Sequence, residues 1–350
     1  MTEITLQNLI IKPVFECICN CKHCEVRQNF YKKQKKITEE RLDIHIIKKI
    51  FSEANKLGNK TLQISGGEPL LYKDLVEMIK EANKYNWFIF INSTGYGVTQ
   101  EFAFKLLEAG LSAFNVSIDS PHNEIHDKLR GIEGLLKSSL NTLKIFNEIR
   151  ESCSDYKDFY TNIQTIITRK NYEDIHYIVE LAVKLQVSSI YFMYIYEDKE
   201  NNFLMSTDQI DEFKKKIIPQ ILKVLSDNGM DRSIVSYAKL VLKDIFDTKY
   251  NTIENYTKGI YWKDLNTVLS LCDKPNKTAM ILPNGNVLPC CMMEGSYNAI
   301  MGNIFESDLP EIWNNERYQM FRKNKADYCK SCPSLKNRTM GLVPTMLQQF

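Results

Sequence analysis

What the sequence lacks narrows the field first. It has no long apolar run: the wholly apolar stretches are short, Trp87 to Ile91 and, counting tyrosine, Ile190 to Tyr196, whereas a membrane-spanning helix needs ~20 such residues. It has almost no net charge. Lys and Arg number 45 against 43 Asp and Glu, a formal +2, so no global field draws nucleic acid or an anionic membrane surface. The opening residues MTEITLQNLIIKP carry no basic segment followed by an apolar one, so no secretory signal is read there and the expected compartment is the cytoplasm. Low-complexity tracts and internal repeats are missing as well. What is present is ordinary globular material: 350 residues, 44% hydrophobic and 25% charged, enough for two or three domain lengths or one barrel with an added module.

The excess is cysteine. There are ten, at 17, 19, 21, 24, 153, 272, 290, 291, 329 and 332. Four fall within eight residues near the start and five in the last quarter. A disulfide scaffold is short, exported and spreads its cysteines along the chain. Two tight groups in a long chain read instead as two metal sites.

Between these groups, short apolar runs alternate with longer amphipathic stretches. The runs lie near 5–16, 61–65, 87–92, 113–118, 160–168 and 189–196. Thr38 caps a helix that Gly58 stops, Thr99 caps one that Gly110 stops, and Asn171 caps a third running to about Gln186. Six strand–helix units in a row predict a parallel α/β sheet. Periodicity does not separate a partial (β/α)6 barrel from a doubly wound sheet. After residue 200 the pattern changes. Ser206 and Gln209 form a capping box for a helix that Pro219 should kink. A second helix is expected over 234–247 and irregular chain over 250–270. The turn LPNGN at 282–286 then opens a small module of hairpin and helix.

The first cysteine group reads CICNCKHC over 17–24, on a loop at the C-terminal edge of the first strand, where α/β folds place their chemistry. Cys17, Cys21 and Cys24 give C-x3-C-x2-C. Zinc sites usually pair two cysteines with two more distant ligands; three thiolates in one short loop suit three irons of a cubane and leave the fourth open. This spacing resembles the signature of the radical S-adenosylmethionine (SAM) family. SGGEP at 65–69 and VSIDSPHNEIHDKLRG at 116–131 resemble further motifs of that family, each at a predicted strand end. The resemblance covers about residues 10–200. It implies that Cys17, Cys21 and Cys24 bind a 4Fe–4S cluster beside His23, and that Gly66, Gly67 and Glu68 hold the SAM amino group. It also implies that Asn92 lines the adenosine pocket, that Ser117 serves the ribose and methionyl region, and that Arg130 clamps the SAM carboxylate. The family's usual Asn-Gly pair is here Asn92-Ser93. Cys19 is expected to be a spectator, and Cys153 a small buried residue.

The second group, with Cys272, Cys290, Cys291 and the pair Cys329-Lys-Ser-Cys332, resembles the auxiliary-cluster module that closes many such enzymes. No cysteine follows Cys332, so the short, one-cluster form called twitch is expected rather than the long SPASM form. Its ligands would be Cys272, Cys290, Cys329 and Cys332, with Cys291 able to replace Cys290; spacing alone also permits a structural zinc. Trp313 and Pro333 are expected to pack.

The expected whole is an α/β protein: a partial (β/α)6 TIM-like barrel over 1–205, a helical connection over 206–270, and a small C-terminal α+β iron–sulfur module over 271–350. The resemblance implies two 4Fe–4S clusters and SAM, reductive cleavage to a 5′-deoxyadenosyl radical, and removal of a substrate hydrogen. A second cluster facing the substrate suits oxidation, or epimerisation if Cys291 returns a hydrogen atom. Because the cluster loop begins by residue 17, no fused leader-binding domain is expected, which leans toward a small sugar-like or natural-product substrate. The alternative is peptide or protein maturation with a separate leader-binding partner. The expected partners are that substrate and an external electron donor such as flavodoxin or ferredoxin, with no nucleic acid and no membrane.

Overall fold

The computed structural model describes residues 4–24, 40–194, 203–229, 272–294 and 297–329. The helix expected over 234–247, the irregular stretch over 250–270, Thr38, Cys332 and Pro333 lie outside these.

Six strands follow the apolar runs: β1 (Asn8–Ile11), β2 (Thr61–Ile64), β3 (Phe88–Ser93), β4 (Ala113–Ser117), β5 (Tyr160–Ile167) and β6 (Ser189–Tyr194). Helices α1 (Ile44–Lys56), α2 (Leu75–Asn83), α3 (Gln100–Glu108), α4 (Asn123–Arg130), α5 (Leu135–Ser152) and α6 (Ile175–Lys184) make the crossovers. The strands pair in parallel in the order of the chain, β6-β5-β4-β3-β2-β1. That order answers what periodicity left open. A doubly wound sheet reverses its strand order at a switch point; this one never reverses, so successive right-handed crossovers put the helices on one face and curl the sheet into an open, partial barrel.

Three further strands extend the same sheet beyond β1. β7 (Thr278–Ile281) pairs with β1 in parallel, and β8 (Asn286–Leu288) and β9 (Gly302–Asn303) follow antiparallel. Gly285, at φ +81°, turns the β7–β8 hairpin. The C-terminal module is therefore built onto the barrel's first strand. Helices α9 (Leu309–Asn314), α10 (Glu316–Lys323) and α11 (Lys325–Cys329) complete it, after α7 (Thr207–Glu212) and α8 (Ile218–Asp227). The Arg322 guanidinium lies between the rings of Trp313 and Tyr318 at 4.1 and 4.0 Å, and the Trp313 indole N–H donates to the Ile4 carbonyl at 2.9 Å.

Alternation along the strands sorts the two faces. Leu9, Ile11, Leu62, Ile64, Ile89, Ile91, Phe114, Val116 and Ile163 face the helices in the main core. The opposite face lines the barrel interior. There Ile10, Phe15, Met280, Leu282 and Leu288 form a separate apolar cluster.

Element ends show where local chemistry sufficed. Thr99 caps α3, accepting from the Phe102 N–H at 3.2 Å, and the Ser206–Gln209 capping box begins α7. The first helix is capped by Asp43, which accepts from His45 N–H at 2.7 Å. Asn171 does not cap α6: its side-chain oxygen accepts from the Thr168 N–H and hydroxyl, and a 3-10 turn (Tyr172–Asp174) precedes the helix. Before Pro219, a π turn (Phe213–Ile217) joins α7 to α8, so the shifted bonding pattern absorbs the amide that proline lacks.

Candidate active site

The loop after β1 is held from two sides. On one side, Asn20 N–H and Lys22 N–H donate to the carbonyls of Arg130 and Leu129 at 2.9 and 3.1 Å. These are the orphan carbonyls that end α4. Gly131, at φ +74°, closes that helix, and a Cβ there would stand 2.8 Å from the Asn20 side chain. On the other side lies the Gly-Gly-Glu turn after β2. Gly67 N–H donates to the Val14 carbonyl at 3.0 Å and Glu68 N–H to the Glu16 carbonyl at 2.7 Å. A Cβ on Gly67 would fall 1.9 Å from the Glu16 oxygen, so the glycine permits backbone to meet backbone.

Within the loop, Cys17, Cys21 and Cys24 are half-buried and Cys19 is fully buried. Cys19 N–H donates to Cys17 Sγ at 3.4 Å. Hydrogen bonds to Cys17 and then Cys21 push the Cys19 thiol's pKa up, and the bond with Cys19 holds that of Cys17 down. Cys19 thus sits behind Cys17 as a hydrogen-bonding neighbour, the kind of contact that tunes an iron–sulfur site. Among the described residues, no three His, Cys, Asp or Glu side chains converge on one metal ion. Three half-buried thiols on one short loop, beside a fully buried fourth, fit a cluster whose irons each take one thiolate.

Behind the loop stands a buried polar group centred on Asp119, a residue the motif reading passed over. Its Oδ2 forms an ion pair with Arg130, 2.8 Å from Nε, and lies 3.7 Å from His23 Nε2, and its Oδ1 accepts from the Ile166 N–H at 3.0 Å. Burial pushes this carboxyl up, but the charge of Arg130, with smaller contributions from His23 and His126, outweighs it and holds the pKa at about 2. Burial opposes the Arg130 charge too, and Asp119 and Cys21 more than restore it. His126 Nδ1 accepts from the Asp119 N–H at 3.1 Å; burial, then the Arg130 charge, lowers its pKa to about 4. Burial also lowers that of His23, against the pull of Asp119. The only sequence signal for Asp119 was its place two residues after Ser117.

Glu68 is buried and its carboxylate is saturated. Oε1 accepts from the Ser93 hydroxyl at 2.6 Å and the Leu70 N–H at 3.3 Å, and Oε2 from the Thr94 N–H at 2.9 Å and hydroxyl at 2.6 Å. It ties the end of β2 to the end of β3, and the serine at 93 is one of its donors. Gly66 stands at φ +141° beside the Val14 carbonyl. Asn92 and Ser117 are half-buried on the interior face of β3 and β4. His23, Gly66, Gly67, Glu68, Asn92, Ser117 and Arg130 thus gather at the C-terminal ends of β1 to β4, around the cysteine loop.

The described cysteines of the second group belong to the C-terminal module, beyond β1 in the sheet. Cys290 and Cys329 are both buried in the main core. Cys272 is half-buried, and its carbonyl accepts from Lys325 Nζ at 2.6 Å, which draws it to α11, the helix that ends at Cys329. Cys291 turns the other way and packs on the interior cluster of Ile10, Phe15, Met280, Leu282 and Leu288. Lys12, from the end of β1, forms a buried ion pair with Glu294, three residues after Cys291. Cys153 follows α5 half-buried, not fully buried as expected. Among the described residues no helix is long and apolar enough to cross a membrane.

Comparison with known proteins agrees with this geometry. Residues 11–182 match the model of the radical SAM superfamily and residues 272–333 that of SPASM, an iron–sulfur cluster-binding domain. Curated relatives include an AdoMet-dependent heme synthase of Methanosarcina barkeri, 24% identical, covering 88% of this chain and 81% of that protein. An Fe-coproporphyrin III synthase of the same organism is 23% identical, covering 90% and 78%. Among solved structures, SuiB of Streptococcus suis bound to the precursor peptide SuiA is similar in fold, with TM-score 0.64, 16% identity and coverage of 95% and 71%. So is anSMEcpe with bound AdoMet, with TM-score 0.65, 17% identity and coverage of 95% and 87%.

Proposed function

Because this chain belongs to the radical SAM superfamily, carries a SPASM iron–sulfur domain and so has SAM and iron–sulfur clusters as its cofactors, we propose that it oxidises a substrate at an unactivated C–H bond. Bound SAM and its cluster supply a carbon radical that removes the hydrogen. The chain's own residues hold the parts. Cys17, Cys21 and Cys24 ligate the first 4Fe–4S cluster, and Cys19 donates to it. The 65–68 turn, shaped by Glu68, lines the methionine end of SAM, with Arg130 and His23 behind. Asn92 and Ser117 face the nucleoside. Cys272, Cys290, Cys329 and Cys332 hold a single auxiliary cluster, two clusters in all.

One observation carries the oxidation reading. β7 pairs directly with β1, so the strand that leads to the first cysteine loop and the hairpin that leads to Cys290 and Cys291 are neighbours in one sheet. A substrate over the barrel mouth would have a redox centre on each side, one to generate the radical and one to accept its electron. The relatives' names, heme synthase and Fe-coproporphyrin III synthase, support a small natural product as substrate. The fold likeness to peptide-bound SuiB supports the alternative, a peptide. An external donor such as flavodoxin or ferredoxin would deliver the first electron. The test is anaerobic turnover with an iron tetrapyrrole, an aminoglycoside and a precursor peptide offered separately. The expected result is faster 5′-deoxyadenosine release with one small molecule and a product two hydrogens lighter. Stimulation by the peptide alone would select the alternative.

A second reading rests on Cys291, which faces the interior cluster while Cys290 joins Cys329 in the core. A thiol there could return a hydrogen atom, as epimerisation needs. In deuterated water that product would carry one carbon-bound deuteron and keep the substrate's hydrogen count; Cys291→Ala would abolish the incorporation while SAM cleavage continues.

A further inference from the structure

We propose that Asn115, Asn162 and Ser189 are positioning residues that set the carboxamide of Asn92 toward the nucleoside of SAM. The proposal deepens the reading of Asn92 given above and rests on it. Strand register places the four side chains side by side on one interior level: Asn92 opposite Asn115, Asn115 opposite Asn162, and Asn162 opposite Ser189. They form an unbroken row. The Ser189 hydroxyl donates to Asn162 Oδ1 at 2.6 Å, Asn162 Nδ2 to Asn115 Oδ1 at 2.7 Å, and Asn115 Nδ2 to Asn92 Oδ1 at 2.7 Å.

Asparagine is depleted in strands, and interior barrel layers are usually filled by branched apolar residues. The level below is mixed, with Gln63 opposite Phe90, Phe90 opposite Ala113 and Ala113 opposite Tyr160. One level up, three adjacent asparagines depart from the habit furthest. A role in stability alone explains them poorly, because a buried hydrogen-bonded pair contributes little more than an apolar pair of the same shape.

Direction is what the row adds. Each carboxamide offers oxygen on one side and nitrogen on the other. Turning Asn115 alone would set oxygen against oxygen and nitrogen against nitrogen, and turning Asn92 or Asn162 alone would oppose one such like pair, so the three carboxamides hold one another in a common sense. The row ends at Asn92. Its oxygen is taken by Asn115, and its amide nitrogen has no partner among the described residues. Asn92 is followed in the chain by Ser93 and Thr94, the two residues that bind Glu68, and it comes directly after Ile91, which pairs with Ile64, the last residue of β2 before the Gly-Gly-Glu turn. The open end of the row is thus a hydrogen-bond donor at the strand tops next to the Gly-Gly-Glu turn, and an acceptor atom of the nucleoside is its natural partner.

The test measures binding of SAM and, separately, of L-methionine to the anaerobic holoenzyme by equilibrium dialysis. Methionine shares the amine and carboxylate of SAM and lacks the nucleoside. Asn162→Leu, close in size and unable to hydrogen-bond, is expected to weaken SAM roughly tenfold, the factor that a net hydrogen bond carries, and to leave methionine binding and iron content unchanged. Ser189→Ala should weaken SAM in the same selective way, and Ser189→Thr, which keeps the hydroxyl, should not. These serine variants decide the matter even if Asn162→Leu folds poorly. If Asn92→Ala weakens SAM but neither Asn162→Leu nor Ser189→Ala does, the row does not position Asn92. Parallel loss of methionine would also overturn the proposal, since the effect would then be general damage. If Asn92→Ala itself leaves SAM binding intact, the reading of Asn92 fails first.

Discussion

Removing the Arg130 guanidinium leaves the Asp119 carboxylate buried without its ion partner, a change that costs about 3–5 kcal/mol in buried pairs. Lys128, two residues earlier on α4, is exposed. Arg130→Ala should therefore lower the unfolding midpoint strongly and Lys128→Ala hardly at all, as urea titration of the two variants would show. A large loss of SAM affinity in Arg130→Ala with an unchanged midpoint would mean that the guanidinium serves the ligand alone. His126 gives a prediction in pH. Its folded pKa, about 4, lies below the ordinary 6.5, so the unfolded chain takes up a proton that the folded chain refuses. The stability from this group is complete above about pH 6.5 and falls by ~1.4 kcal/mol per unit as pH drops toward about 4. Between pH 7.5 and 5.5 the native protein should lose about that much more than His126→Gln; equal losses would contradict the assignment. These residues also show what motifs convey. Cys17, Cys21, Cys24 and Arg130 were visible in motifs, while Asp119, which pairs with Arg130 and approaches His23, has meaning only once β4, β5 and the loop meet. Glu68 was visible as a carboxylate beside glycines, but its four donors come from the end of β3 and from its own turn.

Strands were legible because buried parallel strands read as short apolar runs, and all six lie where the runs predict. Helix ends were legible where a cap needs only its own residues, as at Thr99 and Ser206. They were not where a neighbouring segment claims the side chain, as the Thr168 turn claims Asn171. The attachment of β7 to β1 left no local mark, since nothing near Thr278 names its partner. What secures that attachment is partly the Lys12–Glu294 pair, one residue from each side. Lys12→Met should destabilise the holoprotein by about 3–5 kcal/mol by stranding the carboxylate, and Lys12→Met with Glu294→Leu should recover most of it. Thermal unfolding of the single and double variants reads this directly; equal midpoints would show that the pair carries no such weight.

For the molecule as a whole, the strand order decides the architecture and brings the elements that carry two cysteine groups, nearly the length of the chain apart, into one sheet. The sequence showed both groups and their spacing. It did not show that their elements adjoin, because that depends on a sheet that runs from β6 through β1 into β9. The account stands or falls on two clusters, one in each group. The direct measurement is iron content and reductive SAM cleavage of the anaerobically reconstituted protein, beside a variant with Cys17, Cys21 and Cys24 changed to Ala. The account predicts about eight irons per chain from two four-iron clusters, falling to about half in the variant with all SAM cleavage lost. About four irons in the unaltered protein, or SAM cleavage surviving in the variant, would contradict it.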